Sequence, residues 1–134
     1  MANSPSAAQL KLNAFSGRVA NFPGIRVYVI GAKTGPVKIG MAAEPNLRLL
    51  TLQIGYPFRL EVLTELAGGE QEEAILHELF RKERLHGEWF KRSKRLRHFV
   101  NMANCNVSLA FIIARLDPYG KTRASEMYRR SCEN

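Results

Sequence analysis

Unbroken apolar runs are short throughout this chain, and none approaches the roughly 20 residues that a bilayer-spanning helix requires. No charged-then-apolar leader with a small-residue cleavage site opens it, so the expected location is cytoplasmic, with no membrane partner. Cysteine is scarce. The two present, Cys105 and Cys132, stand far apart and in no metal-ligand spacing, which indicates neither a zinc site nor a disulfide framework. Internal repeats are absent as well. Acidic residues are the minority charge, 12 against 20 Lys and Arg, and the net charge of +8 favours a polyanionic partner. With 134 residues, 46% hydrophobic and 24% charged, the composition is that of one soluble domain around one core.

The charge is unevenly spread. Residues 66 to 90 hold six acidic and three basic side chains, whereas residues 91 to 134 hold ten basic and three acidic ones. An acidic segment inside a basic chain either turns away from a phosphate backbone or holds a metal ion that screens it.

Arg26 to Gly31 and Pro36 to Gly40 read as a β-hairpin joined through Lys33, Thr34 and Gly35, with Tyr28 and Lys38 brought side by side. Arg26, Tyr28 and Ile30 share one face of the first strand, and Val27 and Val29 the other. Pro45 opens a helix whose stripe, Leu47, Leu50 and Ile54, ends at Gly55 and leaves Arg48 off the stripe. Residues 58 to 66 alternate as a strand. Residues 70 to 84 form the strongest helix, acidic at its start and basic at its end, with core residues Ile75, Leu76, Leu79 and Phe80. At ~100° per residue, Glu73, His77 and Arg84 line the edge of that stripe. Two further helices follow at 91 to 105 and 107 to 116, the second nearly all apolar and so expected to be buried or to pair two copies as a homodimer. The organisation predicted is an N-terminal arm (1–24), a core (25–92), a C-terminal helical extension (93–116) and a basic tail (117–134) with weak structure of its own. The fold class predicted is α+β, a small antiparallel sheet flanked by helices.

Tyr28 in Val-Tyr-Val, Lys38-Ile39-Gly40, Arg48, Glu73 and His77 in Glu-Ala-Ile-Leu-His, and Gly87-Glu88-Trp89-Phe90 together resemble the GIY-YIG nuclease superfamily. The likeness is to its small phage and bacterial branch, in which lysine replaces the second tyrosine and Gly-Glu-Trp-Phe follows the acidic helix. It covers about residues 25 to 92. The resemblance implies a three-stranded antiparallel sheet and a metal-dependent phosphodiesterase acting on DNA. It also implies roles: Tyr28 takes a proton from the attacking water, Arg48 stabilises the phosphate, and Glu73 holds Mg²⁺ or Mn²⁺. The chain departs from the pattern at Met41-Ala42, where a small hydroxyl residue commonly stands.

The chemistry has its own logic. Attack of water on a phosphodiester builds negative charge, so a site needs a cation, a guanidinium or ammonium beside it, and a base. A hard divalent ion is satisfied by one or two carboxylates, with water and substrate oxygens completing its shell. Tyrosine, with an ordinary pKa near ~10, needs a neighbouring charge to serve as base, and Lys38 is the expected one. His77 is a candidate proton relay or equally an edge-of-core histidine. Glu88 reads as a hydrogen-bonding residue, and Trp89 and Phe90 as core. Lys33, Lys91, Arg92, Lys94, Arg95 and Arg97 are the expected phosphate contacts. Singly, these residues would be ordinary surface charges and a core tyrosine. The function expected is a metal-dependent DNA endonuclease or nickase. The alternative is a DNA-binding module with little or no turnover.

Overall fold

The structure, a computed structural model, describes residues 24–133, so the arm read at the N-terminus lies outside the described residues apart from Gly24. β1 (Arg26–Gly31) and β2 (Val37–Ala42) form the hairpin. α1 (Pro45–Ile54) leads to β3 (Glu61–Ala67), which pairs with the other edge of β1. α2 (Glu70–Leu79) and a 3₁₀ turn (Arg81–Glu83) precede a small hairpin, β4 (Arg84–His86) and β5 (Trp89–Phe90). α3 (Lys94–Asn104), α4 (Leu109–Leu116) and α5 (Arg123–Cys132) complete the fold. The class is α+β, and each neighbouring strand pair is antiparallel.

The sheet has five strands in the order β3-β1-β2-β5-β4, two more than the sequence predicts. The extra pair comes from residues read as the end of the strong helix and its breaker. That helix stops at Leu79 because Glu83 turns inward, its carboxylate accepting from Ser93 Oγ at 2.7 Å and from Arg95 at 3.0 Å. Gly87, at φ +58°, then supplies the left-handed residue of the tight β4–β5 turn.

β1 is central and buried on both faces, which its β-branched and aromatic side chains suit. Val27 and Val29 join the main core with Ile75, Leu76, Phe80, Phe90, Leu96, Phe99, Ile112 and Ala124. Tyr28 and Ile30 join a smaller cluster under α1. The C-terminal helices contribute Leu96, Phe99, Ile112 and Ala124 to the same core as β1.

β3 starts at Glu61, later than the alternation predicts. The Gln53 amide takes the preceding backbone groups, donating to Phe58 O at 2.9 Å and accepting from Leu60 N at 2.7 Å. Register slips between Val29 and Ile30, leaving Leu63 as a bulge, so Leu63 and Leu66 both reach the main core despite their odd spacing.

Two readings are corrected. The stripe Leu47, Leu50 and Ile54 faces solvent, at 61, 63 and 86% exposure, while Leu49 and Leu52 pack inward. α1 is apolar on more than one side, and periodicity alone cannot choose between faces. The basic tail is likewise not weakly structured: its residues 123–132 are helical, and Ala124, Met127 and Tyr128 pack on the main core. α4 buries Ile112 and Ile113 and leaves Phe111 exposed, so much of the apolar surface expected to pair two copies is satisfied within the chain.

A buried carboxylate starts α5. Asp117 accepts from Thr122 N at 2.9 Å, Thr122 Oγ1 at 2.8 Å, Ser125 Oγ at 2.5 Å and Lys121 N at 3.2 Å. Burial alone would raise its pKa, but the bonds from Ser125, Thr122 and Lys121 together outweigh it and hold the carboxyl well below the usual range. A depressed carboxylate stabilises the fold above the unfolded value of ~3.9 and loses that contribution as pH falls through the folded value. Asp117→Asn is therefore expected to lower stability by about 2 kcal/mol at neutral pH and to flatten the loss on acidification below about pH 4. Thermal melts of both proteins between neutral and acid pH check this, and an unchanged melt at neutral pH would contradict it.

Among the described residues no helix is long and apolar enough to cross a membrane.

Candidate active site

Tyr28 lies opposite Gly40 and Ile30 opposite Lys38, so Tyr28 and Lys38 share a face as diagonal neighbours. Gly40 is the reason they gather at one point. A Cβ built there would sit 2.5 Å from the Tyr28 hydroxyl and 2.7 Å from the ring carbon that bears it. The phenol thus occupies the space a side chain would fill and crosses β2 toward its outer edge.

At that edge β5 gives out. Its last rung pairs Lys38 with Trp89, after which Ile39 N donates to Glu88 O at 3.0 Å. The next acceptor, Ile39 O, lies 2.8 Å from His77 Nε2. A carbonyl can only accept, so Nε2 carries the proton and Nδ1 alone remains to receive a proton or a cation. This bond docks α2 against β2 and places Glu73 one turn back along the same helix face. Glu73, His77 and Glu88 offer ligand atoms that all lie within 4.8 Å of one another.

Lys38 does not serve as the cation beside Tyr28. Its ammonium donates to Glu88 Oε1 at 2.6 Å, and the cation that acts on the Tyr28 hydroxyl is Arg48, whose guanidinium also donates to Thr51 Oγ1 at 3.3 Å. Glu88, read from the sequence as a hydrogen-bonding residue, is therefore both that and a member of the acidic cluster. Burial raises the Tyr28 pKa above its ordinary value, Glu88 and Glu73 add to the rise, and Arg48 offsets only part of it. Burial also raises the Glu73 pKa, with Glu88 repelling its charge and His77 and Lys38 compensating incompletely. A divalent cation would relieve this crowding. The donor set fits one, since Glu73 offers hard carboxylate oxygen and Glu88 a second, although Lys38 already neutralises the latter.

The expected phosphate contacts divide in two. Lys33, Lys91, Lys94 and Arg97 are exposed, and Lys33, Lys91 and Arg97 line a groove of about 450 Å³ beside the β1–β2 loop. Arg92, which lines the same groove, and Arg95 are both engaged by other groups of the protein instead. Arg92 donates to Gly35 O, Lys33 O and Ala32 O at 3.0, 3.1 and 2.5 Å, and Arg95 binds Glu83, the Leu79 carbonyl and the face of Phe80. From sequence these two are indistinguishable from their neighbours, because nothing local marks a guanidinium that will meet carbonyls 57 to 60 residues away, as Arg92 does, or groups 12 to 16 residues away, as Arg95 does.

A sharp contrast follows. Arg95→Ala, which leaves the buried Glu83 carboxylate with Ser93 Oγ but no cation, is expected to lower stability by about 1–3 kcal/mol. Lys91→Ala and Arg97→Ala should leave melting unchanged and each reduce the salt slope of DNA binding by about 1. Melting curves and anisotropy titrations over salt read the two effects separately.

No protein-family model matches the chain, and neither a curated protein nor a solved structure does.

Proposed function

We propose that the protein is a metal-dependent DNA endonuclease or nickase of the GIY-YIG type. The observation that carries this reading is the meeting of Tyr28, Arg48, Lys38, Glu73, His77 and Glu88 at one point of the sheet edge, drawn from two strands, two helices and the β4–β5 turn. Glu73 would hold the cation, with Glu88 beside it. Bound there, Mg²⁺ or Mn²⁺ supplies Lewis-acid charge to the phosphate. Arg48 would take the non-bridging oxygens through its planar fork. In its ionised form the Tyr28 phenolate oxygen would orient the attacking water and take its proton, becoming the neutral phenol, as the water oxygen bonds to phosphorus and the leaving-strand oxygen departs. His77 Nδ1 offers a second acceptor for that proton.

Because its pKa is raised, Tyr28 is a neutral phenol at ordinary pH, and its ionised fraction grows tenfold with each pH unit. The nicking rate is therefore expected to climb across the neutral and mildly alkaline range. The deciding experiment follows nicking of supercoiled plasmid with Mg²⁺ or Mn²⁺, with chelator, and with Tyr28→Phe. Metal-dependent activity that fails in the variant supports the assignment. Equal activity in the variant would remove Tyr28 from the chemistry.

A second reading, a DNA-binding module without turnover, is favoured by one observation: Tyr28 is 1% exposed. Salt-sensitive binding that ignores Mg²⁺, with no nicking at any pH, would select it.

A further inference from the structure

Beside the candidate site lies a second groove, about 420 Å³, between the β1–β2 loop and the segment joining α1 to β3. Lys33, Thr34 and Pro36 form one wall, Tyr56, Phe58 and Arg59 the other, and Glu61 is the acidic residue at its end. Phe58 is 66% exposed and meets Tyr56 edge to face, with centroids 6.5 Å apart. Tyr56 in turn stacks on Trp89 at 5.4 Å and 9°. Trp89 is the rung opposite Lys38 and follows Glu88, so this row of three rings begins at the candidate active site and ends in solvent.

Both walls are held by side chains that bond backbone. Arg92 fastens three carbonyls of the β1–β2 loop, and Gln53 fastens residues 56 to 60 through Tyr56 O, Phe58 O and Leu60 N. An exposed ring on a fastened segment loses little conformational freedom when something stacks on it. The β1–β2 loop also separates this groove from the one lined by Lys91 and Arg97, and Lys33 borders both. The cations therefore run from Arg97 and Lys91 across Lys33 to Arg59, with aromatic faces beside the run. Alternating phosphates and bases match that pattern, and an acidic or apolar peptide would use only half of it.

We infer that this groove receives an unpaired nucleotide of the substrate, its base against Phe58 and its phosphate between Lys33 and Arg59. The preferred substrate is then DNA with a single-stranded segment next to the cut, rather than continuous duplex. This deepens the nuclease reading and rests on it for the cut, while the binding step is separable from cleavage.

The test is anisotropy in chelator, where no cleavage occurs, comparing labelled duplex with the same duplex bearing a short single-stranded flap. A 2-aminopurine in the first flap position reports stacking. The wild type is expected to prefer the flap by about tenfold and to quench the probe. Phe58→Ala should erase both while leaving duplex affinity and melting unchanged, and Gln53→Ala should weaken flap binding in the same direction. Equal affinity of wild type for flap and duplex, or full quenching in Phe58→Ala, would overturn the inference. So would unchanged DNA binding in Phe58→Ala together with lost self-association by light scattering, which would assign the rings to a protein contact. Plasmid nicking by the wild type, run separately, shows whether the nuclease reading stands when the groove inference falls.

Discussion

Glu73→Gln is expected to reduce metal-dependent nicking by at least about 10³-fold while leaving the fold and most DNA affinity in place. The glutamine keeps the shape and loses the charge, and with the charge goes the anchor for the cation. Stability should move the other way when no metal is present. A carboxylate whose folded pKa is raised gives its full support below the unfolded value and withdraws it as pH rises through the folded one. The wild type should thus lose some stability across that rise, and the glutamine variant should not. Adding Mg²⁺ or Mn²⁺ should raise the melting temperature of the wild type only, because a ligand that binds the folded state alone stabilises it by mass action. Nicking and melting with and without cation read these effects independently. A variant that unfolds, or a wild type whose melting ignores the cation, would assign Glu73 a structural role.

Gly40→Ala is the second change with a large expected effect. One methyl group is added within β2, and it enters space held by the Tyr28 phenol at 2.5 Å. Neither strand can yield easily, since β1 is paired on both edges. The ring must leave, and we expect about 1–3 kcal/mol of destabilisation together with a ~10²-fold loss of nicking. A double-mutant cycle identifies the cause. In a Tyr28→Ala background the space is empty, so the same methyl should be nearly neutral for stability. Full additivity of the two changes would show that Gly40 matters for another reason.

Tyr28, Lys38, Arg48, Glu73 and His77 could be picked out by type and order, and the structure brings them together, although it pairs Lys38 with Glu88 and Arg48 with Tyr28 rather than Lys38 with Tyr28. Which cation meets which anion depends on rotamers across a sheet, and residue order carries no trace of that. The hairpin was readable because alternation and a loop signal coincide. β4 and β5 fall at the end of the predicted helix and in the Gly87 to Phe90 segment read as its breaker, where two or three residues are too few to show alternation. α5 escaped notice because its buried face includes Ala124 and Ser125, residues too small or too polar to mark a stripe. α1 misled in the opposite sense: its exposed leucines imitate a core face.

The bonds that complete the candidate site also bear on when it can exist during folding. Lys38 and Glu88 are 50 residues apart, His77 and Ile39 38, and Arg92 and Gly35 57. Contacts of such sequence separation require the closure of long loops before any of them is rewarded, and they tend to form late. The β1–β2 hairpin, closed at its tip by the pair Gly31 and Val37, can assemble early and carry Tyr28, but the carboxylates reach it only once α2 and β5 have docked. A half-folded chain therefore carries Tyr28 without the assembled cluster of Glu73, His77 and Glu88. On the nuclease proposal, cutting waits for the folding of the whole domain.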